Sequence, residues 1–171
     1  KINAERGVAI LLNRQASKAW NNTDSPPVVD DEGRIMALHL EYQHGKHKDQ
    51  YYIISGYAPQ AIKATECKTF RKNIKNIWAK QRPNEMAILG ADINGRLGLA
   101  PVGIKDPVVG AHGFTQSDGT AETSPMGILF KHEVCIPLSI YAPCTFFPTR
   151  RPHNNGGAGT FFSNSLTSKT N

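Results

Sequence analysis

The chain has 171 residues, 39% hydrophobic and 8% aromatic, with a net charge of +6 and an isoelectric point near 9.3. That length suits one domain with a real core and is too short for two. Cys67, Cys135 and Cys144 are odd in number and lack C-x-x-C spacing, which argues against a disulfide-stapled module and a zinc ribbon and predicts reduced, mostly buried thiols in an intracellular reducing compartment.

Eleven prolines and fifteen glycines point to a loop-rich α/β protein rather than a helical bundle. No apolar run reaches the length of a membrane span. The positive balance suits an anionic partner: nucleic acid, an acidic protein or an anionic lipid surface. The chain opens on Lys1 with no signal-peptide pattern, and so reads as a processed product or a piece of a longer one.

In chain order, the apolar run Gly7 to Leu12 predicts a strand buried on both faces. Arg14 to Trp20 reads as a helical turn or an exposed bend, and Asn21 to Gly33, rich in Asn, Asp, Ser and Pro, as a surface loop. Arg34 to Tyr42 alternates Ile35, Ala37 and, less cleanly, His39 against Met36, Leu38 and Leu40, the pattern of a central strand. Gln43 to Gln50 is read as a polar hairpin turn, and Tyr51 to Tyr57 as the strand that returns antiparallel. Thr65 to Arg82 carries Cys67, Phe70, Ile74, Ile77 and Trp78 at steps of three and four, which predicts one helix with a single apolar stripe. Thr65 would cap it and Pro83 would stop it. Lys68, Arg71, Lys72, Lys75 and Lys80 would give it a basic outer surface, read first as a solvated face.

Met86 to Leu89 predicts a short buried strand that opens into Asp92-Ile93-Asn94-Gly95 and then Gly98. Two readings compete there. Asp92 and Asn94 make an Asx-type turn on their own backbone, or a rigid strand end presents an acid and an amide for chemistry. Ala100 to Thr123 is expected to be a surface excursion. Met126 to Val134 reads as a short helix with Met126, Leu129 and Phe130 inward, Cys135 to Tyr141 as a strand, Thr145 to Phe147 and Thr160 to Ser163 as further strands, and Pro148 to Gly159 as a basic loop. The order implies an α/β protein with a mixed sheet layered against helices.

Several separated stretches form a collinear set: Arg6-Gly7-Val8-Ala9-Ile10-Leu11-Leu12, Gly33-Arg34-Ile35, Tyr57-Ala58-Pro59, Ala91-Asp92-Ile93-Asn94 with Gly98, Gly110-Ala111-His112-Gly113, Thr145-Phe146-Phe147 and Thr160-Phe161. Together they resemble the endonuclease/exonuclease/phosphatase superfamily, and within it the endonuclease domains of non-LTR retrotransposons and the retrotransposon-derived proteins descended from them. The resemblance runs from about Arg6 to Ser163. It implies a four-layered α/β sandwich, two mixed sheets face to face with helices outside. It also implies hydrolysis of a phosphodiester assisted by Mg²⁺ held mainly by a Glu. Asp92 would align or deprotonate the attacking water, Asn94 would hydrogen-bond the phosphate or the metal-bound water, and Tyr57 would hydrogen-bond the scissile phosphate. Against that role, Tyr57 also reads as a buried strand-end tyrosine with a backbone partner.

The chain departs from the family's pattern. The metal-binding Glu belongs to a strand upstream of the Gly7 run, and Glu5 lies on the wrong side of the connecting loop. The closing Asp and the terminal Asp-His fall beyond Ser163, after which no Asp, Glu or His follows. Phe161 stands where a Trp is expected and Ala91 where a Gly is expected. His112, His132 and His153 read as solvent-facing bystanders.

Two readings follow. The first is one endonuclease-like domain over residues 1–171, catalytically incomplete and without a cofactor, serving as a binding or structural subunit of a larger assembly and needing a partner to cover its open sheet edges. The alternative is the middle part of an active Mg²⁺-dependent endonuclease, with Lys72, Lys75, Arg150 and Arg151 on nucleic-acid phosphates. A phosphoinositide- or sphingomyelin-type phosphatase on the same fold fits the motifs less well.

Overall fold

In the computed structural model, which describes residues 7–60, 62–96, 98, 123–132, 144–148 and 159–164, the chain has an α/β fold built on one mixed sheet. Its elements are α1 (Arg14–Asn21), β1 (Val28–Val29), β2 (Ile35–His44), β3 (His47–Tyr57), α2 (Ala64–Trp78), β4 (Met86–Asp92), α3 (Pro125–Phe130), β5 (Cys144–Pro148) and β6 (Gly159–Asn164). The sheet order is β1-β2-β3-β4-β6-β5. The β3–β4 pair is parallel and the other four are antiparallel. All the described strands belong to this sheet, so a second sheet is not among them.

The centre follows from the alternation of β2 and β3. Ile35, Ala37, Tyr52 and Ile54 face one way and pack with Ala87, Leu89 and Ala91 of β4 against Cys67, Phe70, Ile74, Ile77 and Trp78 of α2. The helical stripe predicted from spacing is thus the one that is buried, each large side chain contributing about 1.5–3 kcal/mol. Leu38 and Leu40 face the other way and meet Ala19 of α1, with Ile10, Leu12, Tyr42, Tyr51 and Ile53 around them. A central strand buried on both sides is the result.

His39 falls on the α2 side of this alternation. Its Nδ1 lies 2.7 Å from Oε1 of buried Glu85, and its ring stacks on Tyr52 at 4.5 Å. Tyr52 in turn donates its hydroxyl to the Ile77 carbonyl at 2.8 Å. Burying a carboxylate requires this full set of partners: Glu85 Oε2 also accepts the Arg82 N–H at 2.7 Å.

Several boundaries differ from expectation. Residues 7–13 are not a strand: Leu11 is 96% exposed, while Ile10 and Leu12 lie against the Leu38–Leu40 cluster. Ile10 and Leu12 pack on the Leu38–Leu40 face, so this apolar run covers a face of the sheet instead of joining it. Arg14 to Trp20 lies within the helix α1, Arg14–Asn21, capped by the Asn13 side chain on the Ala16 N–H at 2.9 Å. Val28 and Val29, expected in a loop, pair with Ala37 and Met36.

The turn expected over Gln43 to Gln50 narrows to Gly45 and Lys46, because His44 pairs with His47. Gly45 has φ 61°, and a glycine at the first central position permits a two-residue hairpin. The polar residues on either side therefore extend the strands. One step of this extension is tied by Glu41, which accepts from Lys48 at 2.8 Å and Gln50 at 3.0 Å.

The α2 helix starts at Ala64, with Lys63 as an N-cap that makes no side-chain cap bond, so Thr65 lies inside the first turn and is not the cap. It ends at Trp78, before Pro83. The Glu85 carboxylate on Arg82 N–H and the Gln81 side chain on the Glu85 carbonyl, at 2.6 Å, turn the chain back toward β4. α3 buries Met126 and Phe130, but Leu129 is 38% exposed, since buried Gly127 takes the inward position between them. The excursion expected before Thr123 and the strand expected over 135–141 lie outside the described residues, as do His112 and His153; β5 and β6 match the last two predicted strands.

Candidate functional site

The parallel pairing of β3 and β4 brings their C-terminal ends together. Tyr57 stands opposite Asp92 in register, and the Ala58 N–H donates to the Asp92 carbonyl at 2.8 Å, one step beyond the strands. Side chains paired this way project to the same side of the sheet. Past β4 the chain turns sharply. Asp92 Oδ1 accepts the Asn94 N–H at 2.9 Å, which closes an Asx turn. Asn94 adopts φ 45°, a left-handed conformation asparagine tolerates better than most side chains. Its Nδ2 donates to the Ala58 carbonyl at 2.5 Å, so the turn is tied across to the end of β3. Buried Ala58 and Ile93 floor the arrangement.

The loop after the turn is strapped to α3. Ser124 Oγ accepts the Arg96 N–H at 2.8 Å, and the Ser124 N–H donates to the Arg96 carbonyl at 3.0 Å. Thr123 Oγ1 accepts the Gly98 N–H at 2.9 Å. Gly127 packs so closely that a Cβ there would stand 2.0 Å from the Arg96 carbonyl oxygen. Only glycine lets α3 approach the loop this far.

Of the residues singled out from sequence, Tyr57, Asp92 and Asn94 come together. Both readings of the Asp92–Asn94 stretch describe part of it: the Asx turn is there, and it presents polar atoms at a strand end. Tyr57 is not a buried strand-end tyrosine; it is 38% exposed. Among the described residues its hydroxyl, Asp92 Oδ2 and Asn94 Oδ1 accept or donate no hydrogen bond. Lys72 and Lys75 are exposed on α2 and do not join the site. The first turn of α2 lies beside the strand ends, through Glu66 and Arg34, whereas Ile77 lies beside Tyr52, five residues and about 16 Å back along β3. Arg150 and Arg151 lie outside the described residues. His132 is exposed.

Sequence reading missed the group behind Tyr57. Arg34 is 4% exposed. Its Nη2 bonds Glu66 Oε2 at 2.9 Å, and Nε lies 3.6 Å from Glu32 Oε2. The signal was present: an arginine at the start of an apolar strand, with acids at Glu32 and in the first turn of α2. Cys67 is a buried free thiol whose ionisation is pushed up by burial, and its Sγ donates to the Gln60 carbonyl at 3.4 Å.

Among the described residues no three His, Cys, Asp or Glu side chains gather into a metal site. No helix among them is long and apolar enough to cross a membrane. Comparison of the chain with family models, curated proteins and solved structures gave no match.

Proposed function

We propose that the chain is the central part of an endonuclease-type domain that hydrolyses phosphodiesters, with Tyr57, Asp92 and Asn94 on its substrate-facing side and a four-layered sandwich as its complete fold. The observation that carries this reading is the register that sets Tyr57 opposite Asp92, with the Tyr57 hydroxyl and Asp92 Oδ2 unbonded among the described residues. A phenol and a carboxylate side by side supply complementary functions. The hydroxyl donates to a non-bridging phosphate oxygen, and the carboxylate aligns the attacking water and takes up its hydrogen. The water oxygen bonds to phosphorus as the bond to the leaving oxygen breaks. The Asx turn and the Asn94–Ala58 bond hold these groups in place beforehand, so little reorganisation accompanies reaction. The net charge of +6 favours a polyanionic substrate. A Mg²⁺ bound beside these groups, as in the family, would neutralise phosphate charge.

One observation favours a second reading. Asp92 Oδ1 and the Asn94 amide are both engaged with the chain itself, as in a purely structural turn. The domain would then be a catalytically incomplete binding or structural subunit of a larger assembly.

Nicking of supercoiled DNA, with and without Mg²⁺, separates the two. The hydrolytic reading expects nicking by the wild-type chain and a loss of about 10²–10⁴-fold in Asp92→Ala. A wild-type chain that does not nick, or a variant that nicks equally well, leaves the structural reading.

A further inference from the structure

The geometry points to Arg34 as the positioning residue of Tyr57; only the catalytic consequence of this inference rests on the hydrolytic reading above. Arg34 holds Tyr57 at three places. The Tyr57 N–H donates to the Arg34 carbonyl at 2.9 Å. Arg34 Nη1 donates to the Tyr57 carbonyl at 3.4 Å. The guanidinium carbon lies 5.7 Å from the centroid of the phenol ring, within range of a cation–π attraction, which strengthens when the cation is desolvated.

Tyr57 needs such a device. It is the last residue of β3 and is 38% exposed, so its side chain is partly open to solvent. The guanidinium is fixed independently of the tyrosine. Glu66, in the first turn of α2, holds Nη2 at 2.9 Å, and Glu32 lies 3.6 Å from Nε. That last distance is too long for a hydrogen bond, and both Arg34 Nε and Glu32 Oε2 are buried without a hydrogen-bond partner. A buried arginine left partly unsatisfied is a costly way to close a strand end if stability were its sole role. At 4% exposure it does not reach a substrate. It acts through Tyr57, aiming the hydroxyl toward the space beside Asp92.

The test combines NMR of the full chain carrying ring-labelled tyrosine with nicking kinetics, using Arg34→Met, Arg34→Lys and Tyr57→Phe. In Arg34→Met the Tyr57 ring signals should shift and average, while those of buried Tyr52, held by the Ile77 carbonyl, stay in place and report an intact fold. Arg34→Lys should recover them in part, because lysine keeps the charge and loses the planar fork. In nicking, Arg34→Met should lower kcat by up to about a hundredfold with KM unchanged, and should add little in a Tyr57→Phe background. Unmoved Tyr57 signals, or effects of Arg34→Met and Tyr57→Phe that multiply, overturn the inference. Should Arg34→Met also displace Tyr52, Arg34→Lys decides, and an unmoved Tyr57 there overturns it. If the wild-type chain does not nick but Tyr57 still moves in Arg34→Met, the positioning stands and the hydrolytic reading falls.

Discussion

The side-chain amide of Asn94 reaches across two strand ends to the carbonyl of Ala58, at 2.5 Å, from a backbone with φ 45°. One residue thus supplies a tertiary hydrogen bond and a left-handed turn, and substitutions separate the two. Asn94→Gly keeps the turn and loses the bond, at a cost of about 1 kcal/mol. Asn94→Ala loses the bond and also strains the backbone, which adds about 1–2 kcal/mol. Urea unfolding with an unchanged slope should rank the wild-type chain above the glycine variant and the glycine variant above alanine. An alanine variant as stable as glycine would show that the left-handed turn relaxes freely.

Gly127 governs the other side of the same loop. A Cβ there would press on the Arg96 carbonyl, which is backbone, and on its carbon at 2.9 Å. A backbone neighbour cannot swing away as a flexible side chain can. Gly127→Ala should therefore cost about 1–3 kcal/mol by overpacking, and hydrogen exchange at the Arg96 and Gly98 amides should quicken. Unchanged exchange at both amides would mean that α3 does not hold the loop.

Tyr52 supplies a pH-dependent term. Burial, aided by the nearby Glu85 carboxylate, raises its phenol from 10.0 to about 12. The folded state therefore keeps the proton that the unfolded chain releases between pH 10 and 12. Its contribution is fully present below pH 10 and is lost as pH rises toward 12. In denaturant titrations across that window, Tyr52→Phe should show a shallower loss of stability than the wild-type chain. Parallel curves would place the phenol's ionisation elsewhere.

Much of the fold was legible from periodicity. The α2 stripe from Cys67 to Trp78, the two-sided burial of β2 and the antiparallel return of β3 all follow from where apolar residues recur. Boundaries were legible less well, since they depend on partners distant in sequence. Trp78 ends α2 because Glu85 engages the turn that follows, and Ile10 and Leu12 of the Gly7 to Leu12 run are held on a face of the sheet by Leu38 and Leu40. His39 stood out within its strand only as an imperfect apolar position; that it meets Glu85, 46 residues away, is decided by packing.

The candidate site divides in the same way. Asp-x-Asn followed by Gly95 determines a turn by itself, because its hydrogen bonds span two residues and need nothing else from the chain. That Tyr57 stands beside Asp92, that Asn94 is tied to Ala58 and that Arg34 lies against the phenol are consequences of one parallel pairing between β3 and β4. Parallel strands are joined through α2, and register across such a crossover is set by core packing between residues far apart in the sequence. Local sequence carries the turn; the buried contacts of Ile54, Leu89 and Phe70 decide what that turn faces.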